Sequence, residues 1–329
     1  MKQIQLDAPG GPEVLTLVER PLPEPGPGEV RVSARAIGAG GPDVLIRNGS
    51  YKWMPPLPAV PGNEMAGIVD AVGAGVTRLQ PGQRVLVSAR ELPQRGGCYA
   101  EAICVPEGAP FVLPDSIGFD DAVSLGNFQL ALALLASNGQ LPAQAILVPG
   151  AAGGVATALI QVARERGLRV IGTASSAAKR NFALENGAHE VIDGDPRTLT
   201  SEVMRLTGGR GVDLAFDHVG GALFIACLRA LAPCGMAVSY NILGGPPEGD
   251  VFAEMRQLLG RSLAIRTFSI HAIDADPVQR RGLMDSAIAL LASGRVRAPK
   301  ATRFKLAEAR RVHELLDSGG TLGKIVLQP

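Results

Sequence analysis

The residues whose spacing carries the most chemistry lie between Ala145 and Lys179. Gly150-Ala151-Ala152-Gly153-Gly154-Val155-Ala156 follows the apolar run Ile146-Leu147-Val148. It leads into a helical stripe of Val155, Leu159, Val162 and Ala163, with Arg164, Glu165 and Arg166 expected to face water. A buried strand that turns on glycines into a helix of small residues is a phosphate site. The first-turn amides have no intrahelical partner, and no side chain blocks the approach of a pyrophosphate. Against the G-x-G-x-x-G spacing, Ala151, Gly153 and Ala156 give A-x-G-x-x-A, which keeps only the central glycine. Ala152, Gly153, Gly154 and Val155 are therefore candidate cofactor contacts. The competing reading is an ordinary βαβ crossover with a tight turn.

The end of the next strand, Arg169 to Thr173, bears on which dinucleotide is held. An NAD site usually places an acid there for the ribose 2′-hydroxyl. This chain has Ala174-Ser175-Ser176, with Lys179 and Arg180 just beyond, and no acid. Hydroxyls and cations suit a 2′-phosphate, so NADPH is the expected cofactor, held by Ser175, Ser176 and Lys179. Alternatively the serines cap the next helix and the cations are merely solvated.

The elements that must position these residues follow from periodicity. Val212–Asp217 and Met236–Tyr240 read as further strands, as does Glu190–Asp193. Helices at about 177–186, 200–207, 221–231 and 251–259 separate them, and Ser262–Ile270 reads as a last strand. That alternation specifies a doubly wound parallel sheet. The first third is different. Short alternating runs at Lys2–Leu6, Val14–Glu19, Glu29–Ile37, Pro61–Ala74, Gln83–Ser88 and Tyr99–Val105, and around Val112, are divided by proline and glycine turns. A short helix is expected at Asp43–Arg47, a longer one from Asp120 to about Ser137, and late helices at Pro277–Ser293 and Leu306–Ser318. Lys324–Leu327 closes the chain as a strand. The fold class is α/β.

Composition sets limits. The chain has 329 residues, enough for two domains with cores of their own. Lys and Arg total 32 against 31 Asp and Glu, which gives no reason to expect a nucleic-acid partner. No apolar run is long enough for a bilayer and no signal peptide is evident, so neither a membrane partner nor secretion is expected. Cys98, Cys104, Cys227 and Cys234 show no C-x-x-C pairing and read as reduced thiols of a cytoplasmic protein.

Pro61-Gly62-Asn63-Glu64-Met65-Ala66-Gly67-Ile68-Val69, with Val72-Gly73, Val76 and Pro81-Gly82-Gln83-Arg84-Val85, resembles the signature run of the medium-chain dehydrogenase/reductase superfamily. Gly150 to Val155 resembles its quinone oxidoreductase branch, and Gly323-Lys324-Ile325-Val326-Leu327 is a typical ending. The resemblance implies a groES-like catalytic domain from residues 1–121 and 272–329, with a Rossmann NADPH-binding domain at 122–271. It puts Val219, Asn241, Phe268 and Lys324 with the cofactor, and Gly40, Asp43, Leu45, Asn63 and Asn127 in the substrate pocket. Tyr51 is the candidate catalytic donor, or else an aromatic that packs a surface loop. His218 is a further candidate.

Departures narrow the match. Zinc-dependent relatives need a Cys near position 39 and a His before Glu64, where this chain has Ala39 and Asn63. The cysteine quartet of a structural zinc is also missing, and His189, His218, His271 and His313 are scattered. No metal is expected. Gly40, Leu45 and Gly194 replace the branch's usual Asn, Tyr and Tyr, which leaves the Gly40 end smaller and less polar. The expected activity is zinc-independent, NADPH-dependent hydride transfer to a quinone or an activated, α,β-unsaturated carbon–carbon double bond. An enoyl-thioester reductase, a zinc-free alcohol dehydrogenase and a weakly catalytic NADPH-binding protein are the alternatives. The last sheet strand, as an edge, is expected to pair two copies into a homodimer.

Overall fold

The computed structural model describes residues 1–137 and 143–329. It divides into two compact units, residues 1–126 with 288–329, and residues 127–287.

In the first unit β1 (Lys2–Gln5) pairs antiparallel with β2 (Thr16–Glu19), as the alternation predicts. Then come β3 (Glu29–Ala39), α1 (Gly41–Arg47), β4 (Glu64–Val72), β5 (Arg84–Ser88), β6 (Ala102–Pro106), β7 (Phe111–Val112) and the short α2 (Phe119–Ala122). β3 runs antiparallel to β4 on one side and to β6 on the other. Two register shifts in the β3–β4 ladder bend the sheet. Gly67 lies where those strands press together: a Cβ there would fall 2.1 Å from the Ser33 carbonyl oxygen.

The second unit contains α3 (Leu125–Ala136) from Asn127 on. β8 (Ala145–Val148), α4 (Gly154–Glu165), β9 (Arg169–Thr173), α5 (Ala177–Glu185), β10 (Glu190–Ile192) and α6 (Pro196–Leu206) follow. β11 (Val212–Asp217), α7 (Gly221–Arg229), β12 (Leu231–Ser239), α8 (Val251–Gln257), β13 (Ala264–Thr267) and α9 (Pro277–Ala292) complete it, the last crossing back into the first unit. The six strands lie parallel in the order β10-β9-β8-β11-β12-β13. The chain winds outward from β8 in one direction, then restarts at β11 and winds the other way. The switch point lies between β8 and β11.

The chain then returns to the first sheet through β14 (Ala301–Lys305), α10 (Ala309–Asp317) and β15 (Lys324–Gln328). β15 pairs antiparallel with β3 and parallel with β14. Each unit has its own apolar core, Val30, Val32, Met65, Val85 and Leu327 among others in one, and Leu147, Ile171, Ala215, Phe224 and Ala237 in the other.

Several local expectations are corrected. The helix expected from Asp120 to Ser137 is two helices, because the Ser124 N–H turns back to the Asp121 carbonyl (3.0 Å) and ends the first. α4 is not a one-sided stripe: Ala156 to Ala163 are all buried, and only Arg164 onward faces water. α6 begins at Pro196, ahead of Thr200, since the Asp195 carboxylate caps it and proline suits the first helical position. β12 starts at Leu231 and bulges through Cys234 (φ 61°) before its ladder resumes at Met236. β13 is shorter than Ser262–Ile270, because Ser269 caps a 3₁₀ turn over Ile270–Ile273. β14 was not expected; Thr302 and Arg303, on opposite faces of it, are both exposed, so it lacks an apolar signature.

Candidate functional site

At the switch point two turns meet. Gly150, at the end of β8, takes φ +60°, a conformation open to glycine, and a Cβ there would sit 2.7 Å from the His218 ring. Gly153, the N-cap of α4, has ordinary extended dihedrals and no cap hydrogen bond from a side chain. A Cβ on Gly153 would meet nothing closer than 3.5 Å. Protein packing therefore does not require this glycine, since a Cβ there would make only ordinary contacts. Ala152 is buried, while Gly153, Gly154 and Val155 are half-buried.

The turn after β11 is held from inside. Asp217, fully buried, accepts from the Val219 and Gly220 amides (3.0 and 2.9 Å), which offsets part of the upward push that burial gives its pKa. The loop after β12 docks on this turn through Leu243 N–H to the His218 carbonyl and Gly244 N–H to the Val219 carbonyl (3.0 and 2.7 Å). Val219 and Asn241 thus lie on neighbouring strand ends, Asn241 exposed with its amide oxygen on the Ile242 N–H. His218 Nδ1 meets the Tyr240 hydroxyl at 3.1 Å, and burial lowers its pKa to about 4, so the ring is neutral near pH 7. Phe268, half-buried, extends the ladder past β13 through its N–H to the Ser239 carbonyl.

At the end of β9, Ser175 is exposed, and Ser176 caps α5 by accepting from the Lys179 N–H (3.3 Å). Arg180 donates from Nη1 to the Ala174 carbonyl (3.1 Å) and contacts Asp193 at 3.5 Å. Gly194 sits against Thr173, whose Oγ1 would be 3.3 Å from an added Cβ.

The first unit holds a second cluster. Asp43, on α1, is 2 % exposed. It accepts from the Gly40 N–H (2.9 Å), from Asn63 Nδ2 (2.7 Å) and from the Tyr99 hydroxyl. Burial raises its pKa to about 6, against the pull of Asn63 and Lys324. Among the described residues the anchored Asn63 amide has no further side-chain hydrogen bond, which leaves Oδ1 and one N–H unspent, and a Cβ on Gly40 would meet only Pro42, at 3.9 Å. Glu64 forms an ion pair with Lys324, which is 4 % exposed.

Behind Asp43 runs a chain of fixed direction. Arg47 Nη1 lies 3.3 Å from His313 Nδ1, and since arginine only donates, Nδ1 must accept. Nε2 then carries the proton and donates to the Tyr99 oxygen (3.2 Å), leaving the Tyr99 hydroxyl proton for Asp43. Burial lowers the His313 pKa to about 4, and Arg47 adds to the effect. Asp317 holds the far side of Arg47 at 3.0 Å.

Tyr51 is 8 % exposed and packs with Leu6, Ile46 and Ala59, its ring edge-on to Trp53 at 5.8 Å. Leu45 borders the same cluster, and Asn127 is half-buried at the start of α3. Among the described residues no group of three or more His, Cys, Asp or Glu could hold a metal, and no helix is long and apolar enough to cross a membrane. Arg47, Tyr99, His313 and Asp217 were missed from sequence. A charge inside an apolar helix (Arg47) and an acid ending an apolar strand (Asp217) were the available signals.

A bent antiparallel unit interrupted by a doubly wound sheet, with a glycine turn at its switch point, is the architecture of a two-domain dehydrogenase. The comparisons agree. The alcohol dehydrogenase GroES-like domain family matches residues 26–115, and the zinc-binding dehydrogenase family matches residues 154–281. A quinone oxidoreductase of Pseudomonas aeruginosa is 36 % identical over 100 % of this chain and 99 % of its own. The crystal structure of Escherichia coli quinone oxidoreductase complexed with NADPH superposes with a TM-score of 0.88 at 31 % identity, covering 100 % of both chains. The human synaptic vesicle membrane protein VAT-1 homolog is 31 % identical over 97 % of this chain and 84 % of its own. The chain belongs to the medium-chain dehydrogenase/reductase superfamily of oxidoreductases, in its quinone oxidoreductase-like branch.

Proposed function

We propose that the protein is an NADPH-dependent, zinc-independent reductase that passes hydride to a quinone or to an activated carbon–carbon double bond. The observation that carries this is the switch-point turn: the N-terminus of α4 has no side-chain cap, and glycine stands at Gly153 although the protein around it would tolerate a Cβ at ordinary contact distance. These residues fit a dinucleotide pyrophosphate, and the acid-free end of β9 suits a 2′-phosphate. Gly153, Gly154 and Val155 would hold the pyrophosphate, and Ser175 and Lys179 the adenosine end. Bound NADPH would supply the hydride. The chain's own task is to orient the acceptor and to offer donors to the oxygen on which charge develops. Asn63 has an N–H to give, and Tyr51 is the other candidate. NADPH oxidation against quinones, enones, enoyl thioesters and aldehydes tests the reading. Tight NADPH binding with no turnover of any of them would overturn it in favour of a binding protein.

Cofactor choice is expected to depend on Lys179. One hydrogen bond to a charged group contributes about 1.5–3 kcal/mol, and solvent screening favours the lower part of that range. Lys179→Ala should therefore weaken NADPH roughly tenfold and leave NADH nearly unchanged. A wild-type preference for NADH, or equal losses for both, would remove the phosphate from this strand end.

We also propose a homodimer through β13, whose only partner in the sheet among the described residues is β12. Its Arg266 and Thr267 are exposed, and Leu259 just before it is 59 % exposed. Light scattering should show a dimer at micromolar concentration, and Ala264→Pro with Thr267→Pro should yield monomers. A wild-type monomer, or a dimer that survives both prolines, would refute this interface.

A further inference from the structure

Where an NAD site would present an acid, the chain places a guanidinium. Arg180 lies on the first turn and a half of α5, yet its side chain reaches back to the last carbonyl of the β9 end. Nη1 donates to Ala174 at 3.1 Å and lies 3.5 Å from Asp193 Oδ2. Among the described residues these are its only side-chain hydrogen bonds, and both use one nitrogen. The edge formed by Nε and Nη2, two parallel N–H groups at the spacing of two phosphate oxygens, is unspent. The side chain is 32 % exposed, so that edge can be reached from solvent.

Two features make this a prepared site. The Ala174 tether fixes the guanidinium at the strand end, which lowers the entropy lost when a ligand is gripped. The Asp193 pair is weak: its geometry is long, and the carboxylate is 62 % exposed, so a phosphate with nearly two charges can displace it at little cost. The exposed Ser175 stands in the same turn, while Ser176 is occupied with its cap.

We propose that Arg180 is a specificity-determining residue that grips the ribose 2′-phosphate side-on, with Asp193 as the counter-charge it leaves. This rests on the NADPH reading but is separable from it. Lysine at position 179 offers a point charge; Arg180 offers a fork.

Calorimetric titration with adenosine 2′,5′-bisphosphate and with adenosine 5′-monophosphate tests it without turnover. The wild type should prefer the bisphosphate. Arg180→Ala should cut that preference roughly ten- to fiftyfold and leave the monophosphate unchanged. Arg180→Lys should restore only part of it, because it returns charge without the fork. Asp193→Asn should strengthen bisphosphate binding by up to about fivefold, the scale of an exposed ion pair. A wild type that binds both nucleotides equally would overturn the NADPH reading itself. A wild-type preference that survives Arg180→Ala but falls in Lys179→Ala would overturn the role of Arg180 alone. Full restoration by Arg180→Lys would refute the side-on grip.

Discussion

Lys324→Met is expected to lower the unfolding free energy by about 3–5 kcal/mol, the cost of leaving one partner of a buried ion pair behind. Lys324 opens β15 with its side chain 5 % exposed, and the Glu64 side chain it meets is 15 % exposed. Glu64 has little room to move. A Cβ on Gly38 would lie 2.6 Å from its Cγ, and one on Gly126 would lie 2.7 Å from its Oε2. The stranded carboxylate would also face Asp43, whose pKa Glu64 already raises and Lys324 lowers. Without the lysine, Asp43 should protonate above its present value of about 6. Urea unfolding at pH 7 gives the measurement. Adding Glu64→Gln to Lys324→Met should recover much of the loss, since a neutral amide costs far less to bury than a lone charge. A loss below about 1 kcal/mol in the single variant would mean the pair is solvated like a surface pair.

What could be read from sequence divides along physical lines. The β8–α4–β9 unit was legible because periods, glycines and caps all act within a few residues: β9 and β11 fall where the apolar runs end. The Asp195-Pro196 start of α6 was equally local and was missed, because apolar periodicity alone begins at Leu199. β14 left no such trace, since it is an edge strand with exposed Thr302 and Arg303 and is defined only by its partner β15. Within the candidate site, Gly153, Ser175 and Lys179 are legible because a turn and the strand beside it are short-range. The Arg47–His313–Tyr99–Asp43 chain is not. Its members come from α1, α10 and the segment before β6, with 266 positions between Arg47 and His313, and each alone has an ordinary explanation. A buried polar network is specified by complementarity among distant elements, and one sequence does not display that complementarity.

That network gives the second large effect, a loss of stability in acid that can be steered by substitution. His313 and His218 each have a folded pKa of about 4 against an ordinary value of 6.5. Between those values the unfolded chain binds protons that the folded chain refuses, so stability is full above 6.5 and falls as the pH drops toward 4. At about 1.4 kcal/mol per unit, His313 should account for roughly 3 kcal/mol. His218, half-buried by area, should account for less. Asp43 acts in the opposite sense. Its folded pKa of about 6 lies above the ordinary 3.8, so the folded chain takes up a proton first and gains stability over nearly the same window. The charged groups facing this cluster are Arg47, Asp317, Glu64 and Lys324. The net expectation is a fall of about 2–4 kcal/mol between pH 7 and pH 4.5. His313→Gln should flatten the slope, because what remains from His218 and Asp43 nearly cancels. Asp43→Asn should steepen it, because the compensating proton is lost. Equilibrium unfolding in urea at half-unit steps from pH 7 to pH 4.5 would read all three slopes. If the His313→Gln slope matched the wild type, His313 would have to be exchanging its proton freely, and the fixed direction of the Arg47-to-Asp43 chain would be wrong.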